Sequence, residues 1–209
     1  MFIGGDKEQV VLEQYCSKME EIKLRMEVVD FFMTGKGHAL YQPSTIETIC
    51  LQIRKILELI AFSSLIVNET EYSKIHSDFT QHWNAKKLIN NLKKINPDFY
   101  PVPILEIPSK IQGITSQWEY IKDGFLTTKE FIDTYEKCGS IMHIRNPFRP
   151  NIDYELYSKK ITYWTQKIIK LLDTHFINFT KDKGFYLIHM SEAQDKKVHW
   201  YRFEAHKIP

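Results

Sequence analysis

Apolar residues recur at spacings of three or four along most of the chain, so helices are the first expectation. The strongest such run is 44–68, STIETICLQIRKILELIAFSSLIVN. Ile46, Ile49, Ile53, Leu57, Ile60, Ser64 and Val67 form one stripe, and Glu47, Leu51, Arg54, Glu58, Phe62 and Leu65 form a second. Only Thr48, Gln52, Lys55 and Ser63 make a thin polar line. A helix apolar over most of its girth belongs in a core or at an oligomer interface. Ser44-x-x-Glu47, following Pro43, reads as a capping box that starts it. The polar and charged residues at 52, 54, 55 and 58 argue against a transmembrane span.

The same pattern predicts a long helix over 6–34, with Val10, Val11, Tyr15, Met19, Ile22, Met26, Val29 and Phe32 on its apolar side. Gly35-Lys36-Gly37 closes it, and it should pair antiparallel with the central helix across 35–43. A short helix over 70–79 and a clearer one over 84–95, stopped by Asn96-Pro97, come next. Prolines at 101, 103 and 108, a glycine at 113 and β-formers around Ile104 and Trp118 then predict an irregular insertion with a small hairpin. Thr127-x-x-Glu130 is a second capping box, opening a helix to about residue 144. Gly139 inside it costs about 1 kcal/mol relative to Ala, and a close helix–helix approach is one reason to keep it. A second long helix is expected over 153–181, from Leu156, Ile161, Trp164, Ile168, Leu171, Leu172, Phe176 and Phe179. FYLIHMS and VHWYRFE alternate in the strand manner around a polar turn, which predicts a β-hairpin. The fold class expected is therefore mainly α. A bundle of up-and-down helices spans 1–183, with an insertion at about 97–126, and a C-terminal β-hairpin at 184–209 docks on the same domain.

Composition adds little to that picture. A chain of 209 residues can build one good-sized domain, and a net charge of +2 neither predicts nor excludes nucleic acid as a partner. Cys16, Cys50 and Cys138 are odd in number and lie in apolar patterns, as buried free thiols in a reducing compartment would. The start, MFIGGDKEQ, lacks the basic and apolar segments of a signal peptide, so a cytoplasmic location with no membrane association is expected.

Candidate chemistry is sparse. There is no Walker loop, dinucleotide fingerprint, G-x-S-x-G elbow, H-E-x-x-H or C-x-x-C, and no cofactor or metal site is expected. Arg54 and Glu58, four apart on the central helix, should pair if buried, as a structural ion pair or as part of a polar pocket between helices. Lys86, Lys87, Lys93 and Lys94 spread over a helix with no acid between Gln81 and Pro97, as a solvated face or as phosphate or nucleic-acid contacts. His82-Trp83 just before it offers a stacking surface or a core anchor. His143, Arg145 and Asn146, at a proline-stopped helix end, suit anion binding or acid–base catalysis, and equally suit helix capping with dipole complementation. His189 and His199 can face each other across the hairpin, too few ligands for zinc.

LQIRKILELIAFSSL, HWNAKKLI, YEKCGSIMHIRNPF and the closing hairpin together resemble a family of uncharacterised bacterial proteins. The order of elements is similar to the HEPN (higher-eukaryote and prokaryote nucleotide-binding) bundles. Many HEPN members are metal-independent ribonucleases of toxin or phage-defence systems, with an Arg followed by a His after four to six intervening residues, usually acting across a dimer. Arg25, Arg54, Arg145, Arg149 and Arg202 all lack a His at that spacing; Arg202 and His206 come one residue short. Two functions follow as expectations. The first is a non-catalytic helical module that forms a homodimer or binds a protein partner in bacterial stress or defence. The second is an RNA- or nucleotide-directed enzyme of ribonuclease or toxin type. In the second, His143, Arg145 and Asn146 would form the site, Arg54 and Glu58 would support it, and the lysines would hold phosphates.

Overall fold

The strongest helical pattern is also the centre of the fold. In the computed structural model, which describes residues 5–109, 116–179 and 184–204, that pattern forms α2, Gln42–Ile75. Its inward face is continuous from Ile46 to Tyr72, and α1 (Gly5–Met33), α3 (Ala85–Ile95), α4 (Thr128–Ile141) and α5 (Tyr154–Leu172) all pack on it. Ser63 is fully buried rather than part of a polar line, because no residue of α2 from 59 to 68 is exposed.

Both ends of α2 differ from expectation. The helix begins at Gln42 behind Tyr41, and no side chain caps it. Ser44 lies inside the first turn and turns its hydroxyl back to the carbonyls of Ala39 and Tyr41, so the expected box with Glu47 does not form. Pro43 explains the earlier start: its fixed φ suits the first turn, and its missing N–H has no partner to lose there. At the other end the helix continues through Asn68 instead of stopping. The Asn68 amide bonds back to the Ser64 carbonyl at 2.8 Å and accepts from Asn96 at 2.8 Å, so a polar residue is satisfied inside the core. The separate helix expected at 70–79 is thus the tail of α2 followed by a single 3-10 turn, Phe79–Gln81.

α1 and α2 form the expected antiparallel pair, with Gly35 in the left-handed region (φ 74) ending α1. Asn84 caps α3 by accepting the Lys87 amide at 3.1 Å. Thr127 and Glu130 complete the reciprocal capping box of α4. That helix stops at Ile141, one turn short of the expected end, because Met142 closes it before the proline-containing loop.

The largest departure lies in the second half. The helix expected over 153–181 ends at Leu172, and Thr174–Asn178 is a strand, β3; residues 180 and 181 of that expected helix fall outside the described part of the chain. Leu172, Phe176 and Phe179 imitate helical spacing. The segment THFIN itself alternates: Phe176 faces one way, His175 and Ile177 the other. β3 is the middle strand of a five-stranded antiparallel sheet ordered β2-β1-β3-β4-β5. β1 (Val102–Pro108) and β2 (Ser116–Tyr120) come from the proline-rich insertion, and β4 (Gly184–His189) and β5 (His199–Glu204) from the end of the chain. β4 and β5 pair with His189 opposite His199, as the last two strands of this sheet and not as an appended hairpin.

One face of the sheet, through Ile177, Tyr186 and Ile188, closes the helical core. The other carries Ile104, Phe176 and Leu187, with Trp118, Phe185 and Phe203 packed around them. β1 stays beside β3 only at Val102 and Pro103. The β1–β2 hairpin then folds across that outer face, which brings Trp118 to within 5.3 Å of Phe176 and 4.7 Å of Phe203, ring centre to ring centre. Two strands of a proline-broken segment thereby cover an aromatic surface that would otherwise face water. No helix among the described residues is long and apolar enough to cross a membrane.

Candidate functional site

Arg54 and Glu58 face α4, the helix that leads to the His143 loop. The Arg54 guanidinium lies over the Tyr135 ring of α4, 3.8 Å from its centre, and donates to the Tyr135 hydroxyl at 2.5 Å and carbonyl at 3.3 Å. Its Nε is 3.4 Å from Glu58, which also accepts from the Tyr135 hydroxyl at 3.1 Å. Gly139 makes room for this arrangement, because a Cβ there would sit 2.5 Å from Arg54 Nη1. A side chain, rather than a neighbouring backbone, therefore explains the glycine. Burial pushes the Tyr135 hydroxyl pKa up, and the Glu58 carboxylate adds to the rise, so it stays protonated as the donor to Glu58. Every charge in the group has a partner, which marks it as a clamp between α2 and α4.

His143, Arg145 and Asn146 stand together on the exposed loop after α4, and no hydrogen bond joins them to that clamp. Arg145 Nε donates to the Pro150 carbonyl at 3.0 Å, and Asn146 accepts the Phe148 amide at 2.9 Å. Asn146 thus builds a turn within the loop instead of capping α4. Ile144 and Phe148 on the same loop are 99% and 95% exposed. Lys86 pairs with Glu136 of α4, while Lys87, Lys93 and Lys94 are free to solvent.

His189 and His199 have nearby carboxylates, two of them only three and four positions away in the sequence. His189 Nδ1 lies 2.5 Å from Glu192, its Nε2 is 3.3 Å from Glu106 of β1, and His199 is 3.0 Å from Asp195. The Glu192 carboxyl is held below its ordinary pKa by hydrogen bonds from His189 and Tyr201. The His189–Glu106 pair ties the outer hairpin to β4, the other two are local to the β4–β5 connection, and no metal-binding group exists among the described residues.

The feature that sequence reasoning missed is a groove. α1 and α5 both lie on α2 but stand apart from each other, leaving an open channel of about 740 Å³ between them. Its floor is Ile22, Met26 and Val29 of α1 with Thr165, Ile168 and Leu172 of α5, and Met190 also lines it. Phe31 and Ile169 stand on its walls, 48% and 54% exposed. The rim carries both signs, with Lys23 and Lys36 alongside Glu27, Asp30 and Asp173. Leu24, Val28 and Phe31, spaced as a second apolar stripe on α1, extend the exposed apolar surface beyond the channel. That stripe was readable in the sequence, since α1 has apolar residues on more than one side.

Comparison with protein-family models, with curated proteins and with solved structures finds no match to this chain.

Proposed function

We propose that the chain acts as a non-catalytic helical module that pairs with a second copy of itself through the α1–α5 groove. The observation that carries this reading is the groove: a channel of about 740 Å³ with an apolar floor and exposed Phe31 and Ile169 on its walls. A mixed-sign rim favours self-pairing, because a two-fold axis can set the acids of one copy against the lysines of the other. The catalytic alternative has less support. Arg54 and Glu58 are engaged with Tyr135, and His143, Arg145 and Asn146 sit on an open loop with no enclosed space around them.

Size-exclusion chromatography with light scattering tests the proposal. Wild type should show twice the chain mass of 24.9 kDa, and Ile169→Lys should return it to one chain without changing its circular dichroism. A wild type that remains single-chain at high micromolar concentration overturns the reading, and so does a dimer indifferent to Ile169→Lys.

A further inference from the structure

A second cavity, of about 390 Å³ and lined by polar and aromatic side chains, lies where the end of α2 turns into α3. His76, Asp78, His82, Trp83, Lys87 and Asn91 are among the residues that line it, and it shares no residue with the groove. Tyr72, fully buried beneath it, sets two of these side chains. Its hydroxyl lies 3.1 Å from His82 Nδ1 and accepts from the Asn91 amide nitrogen at 3.2 Å. His82 Nε2 is 3.4 Å from Asp78, so both nitrogens of that ring are engaged. The Asn91 nitrogen being committed to Tyr72, its carbonyl oxygen is the group left for a ligand.

Three other side chains have no polar partner among the described residues. His76, half-buried between Tyr72 and His82, has no hydrogen bond on either ring nitrogen among the described residues. Trp83 is 68% exposed and meets no other aromatic ring among them. Lys87 has no acid paired with it among them. The cavity does not depend on the α3 N-terminus, which the Asn84 side chain already closes.

We propose that this cavity binds an adenine nucleotide, free or within a single strand. A flat open indole offers a stacking face to a base. The Asn91 carbonyl is an acceptor for the exocyclic amine of adenine. Lys87 and His76 supply donors for the phosphate. The volume suits one nucleotide, at the small end of ligand cavities.

Titration calorimetry with AMP, adenosine, inorganic phosphate and a short oligoadenylate tests this, with tryptophan fluorescence read in parallel. AMP should bind and quench fluorescence, adenosine should bind more weakly, and phosphate alone should not quench. Trp83→Ala should weaken AMP by about tenfold or more. Lys87→Gln should weaken AMP while leaving adenosine unchanged. Both side chains are exposed, so thermal melts should match wild type. Oligoadenylate bound in preference to AMP identifies a strand as the occupant and supports the site. Absence of binding by both at millimolar concentration, or AMP affinity unchanged in Trp83→Ala, overturns it. Because Ile169→Lys leaves this cavity intact, a failed dimer and a failed nucleotide site are told apart in the same samples.

Discussion

His175 shows how one polar side chain sets the terms of a core. It is the second residue of β3 and fully buried, with Nδ1 donating to the Leu172 carbonyl at 2.7 Å and Nε2 facing the Tyr15 hydroxyl at 2.8 Å. A carbonyl can only accept, so Nδ1 carries the proton, and the Tyr15 hydroxyl donates to Nε2. Burial holds the imidazole pKa down at about 4, and His189 adds to the effect. The unfolded chain takes up a proton below about pH 6.5, whereas the folded chain resists until about pH 4. Stability should therefore fall as pH drops across that window. Urea unfolding at pH 7 and pH 5 measures the slope, and His175→Gln should flatten it even if that variant is less stable throughout. An unchanged slope in the variant would assign the acid sensitivity to other groups. Nothing in THFIN announces this histidine's partner, because Tyr15 lies at the far end of the chain.

At the scale of elements, the clamp between α2 and α4 joins two opposing effects at one position. Gly139→Ala should gain about 1 kcal/mol of helix propensity and lose a similar amount by pushing the Arg54 guanidinium from Tyr135. The single substitution should thus change stability by less than about 1 kcal/mol, while in an Arg54→Ala background it should stabilise by about that amount. A double-mutant cycle by chemical denaturation checks this, and a coupling of zero would separate the glycine from the arginine. Helices carried by a full apolar period and a local cap were legible in the sequence: α1, α3 and the start of α4 need only their own residues. α2 was legible in its middle and misread at both ends, where a proline and a buried asparagine pair decide the boundary. β3 was misread because its apolar spacing suits a helix. Its strand state is supplied by β1 and β4, and no local rule contains them.

For the molecule as a whole, the candidate surfaces were legible only in parts. Lys87 and His82-Trp83 could be named from sequence, but the cavity they share with His76 exists only once α2 turns into α3. The α1–α5 groove depends on two helices failing to touch, a property of packing that no single stretch encodes. The outer face of the sheet likewise depends on a distant segment. Trp118→Ala should cost about 2–3 kcal/mol, because the indole is half-buried against Phe176, Phe185 and Phe203. Hydrogen exchange should then show β1 and β2 losing protection while α1 and α2 keep theirs. Equal loss everywhere would mean that the hairpin and bundle unfold as one unit.

The position of β3 in mid-sheet also has a consequence for synthesis. β1 and β2 leave the ribosome well before their neighbour, since Thr174–Asn178 comes roughly 65 residues after β1. At translation rates of roughly 5–20 residues per second, the early hairpin waits several seconds with one strand edge open and Trp118 uncovered. During that interval the nascent chain carries an unpaired β-edge beside an aromatic patch, so its yield should depend on how quickly the ribosome reaches β3. Slow codons placed between α4 and β3 would lengthen that exposure, and slow codons after β4 would not.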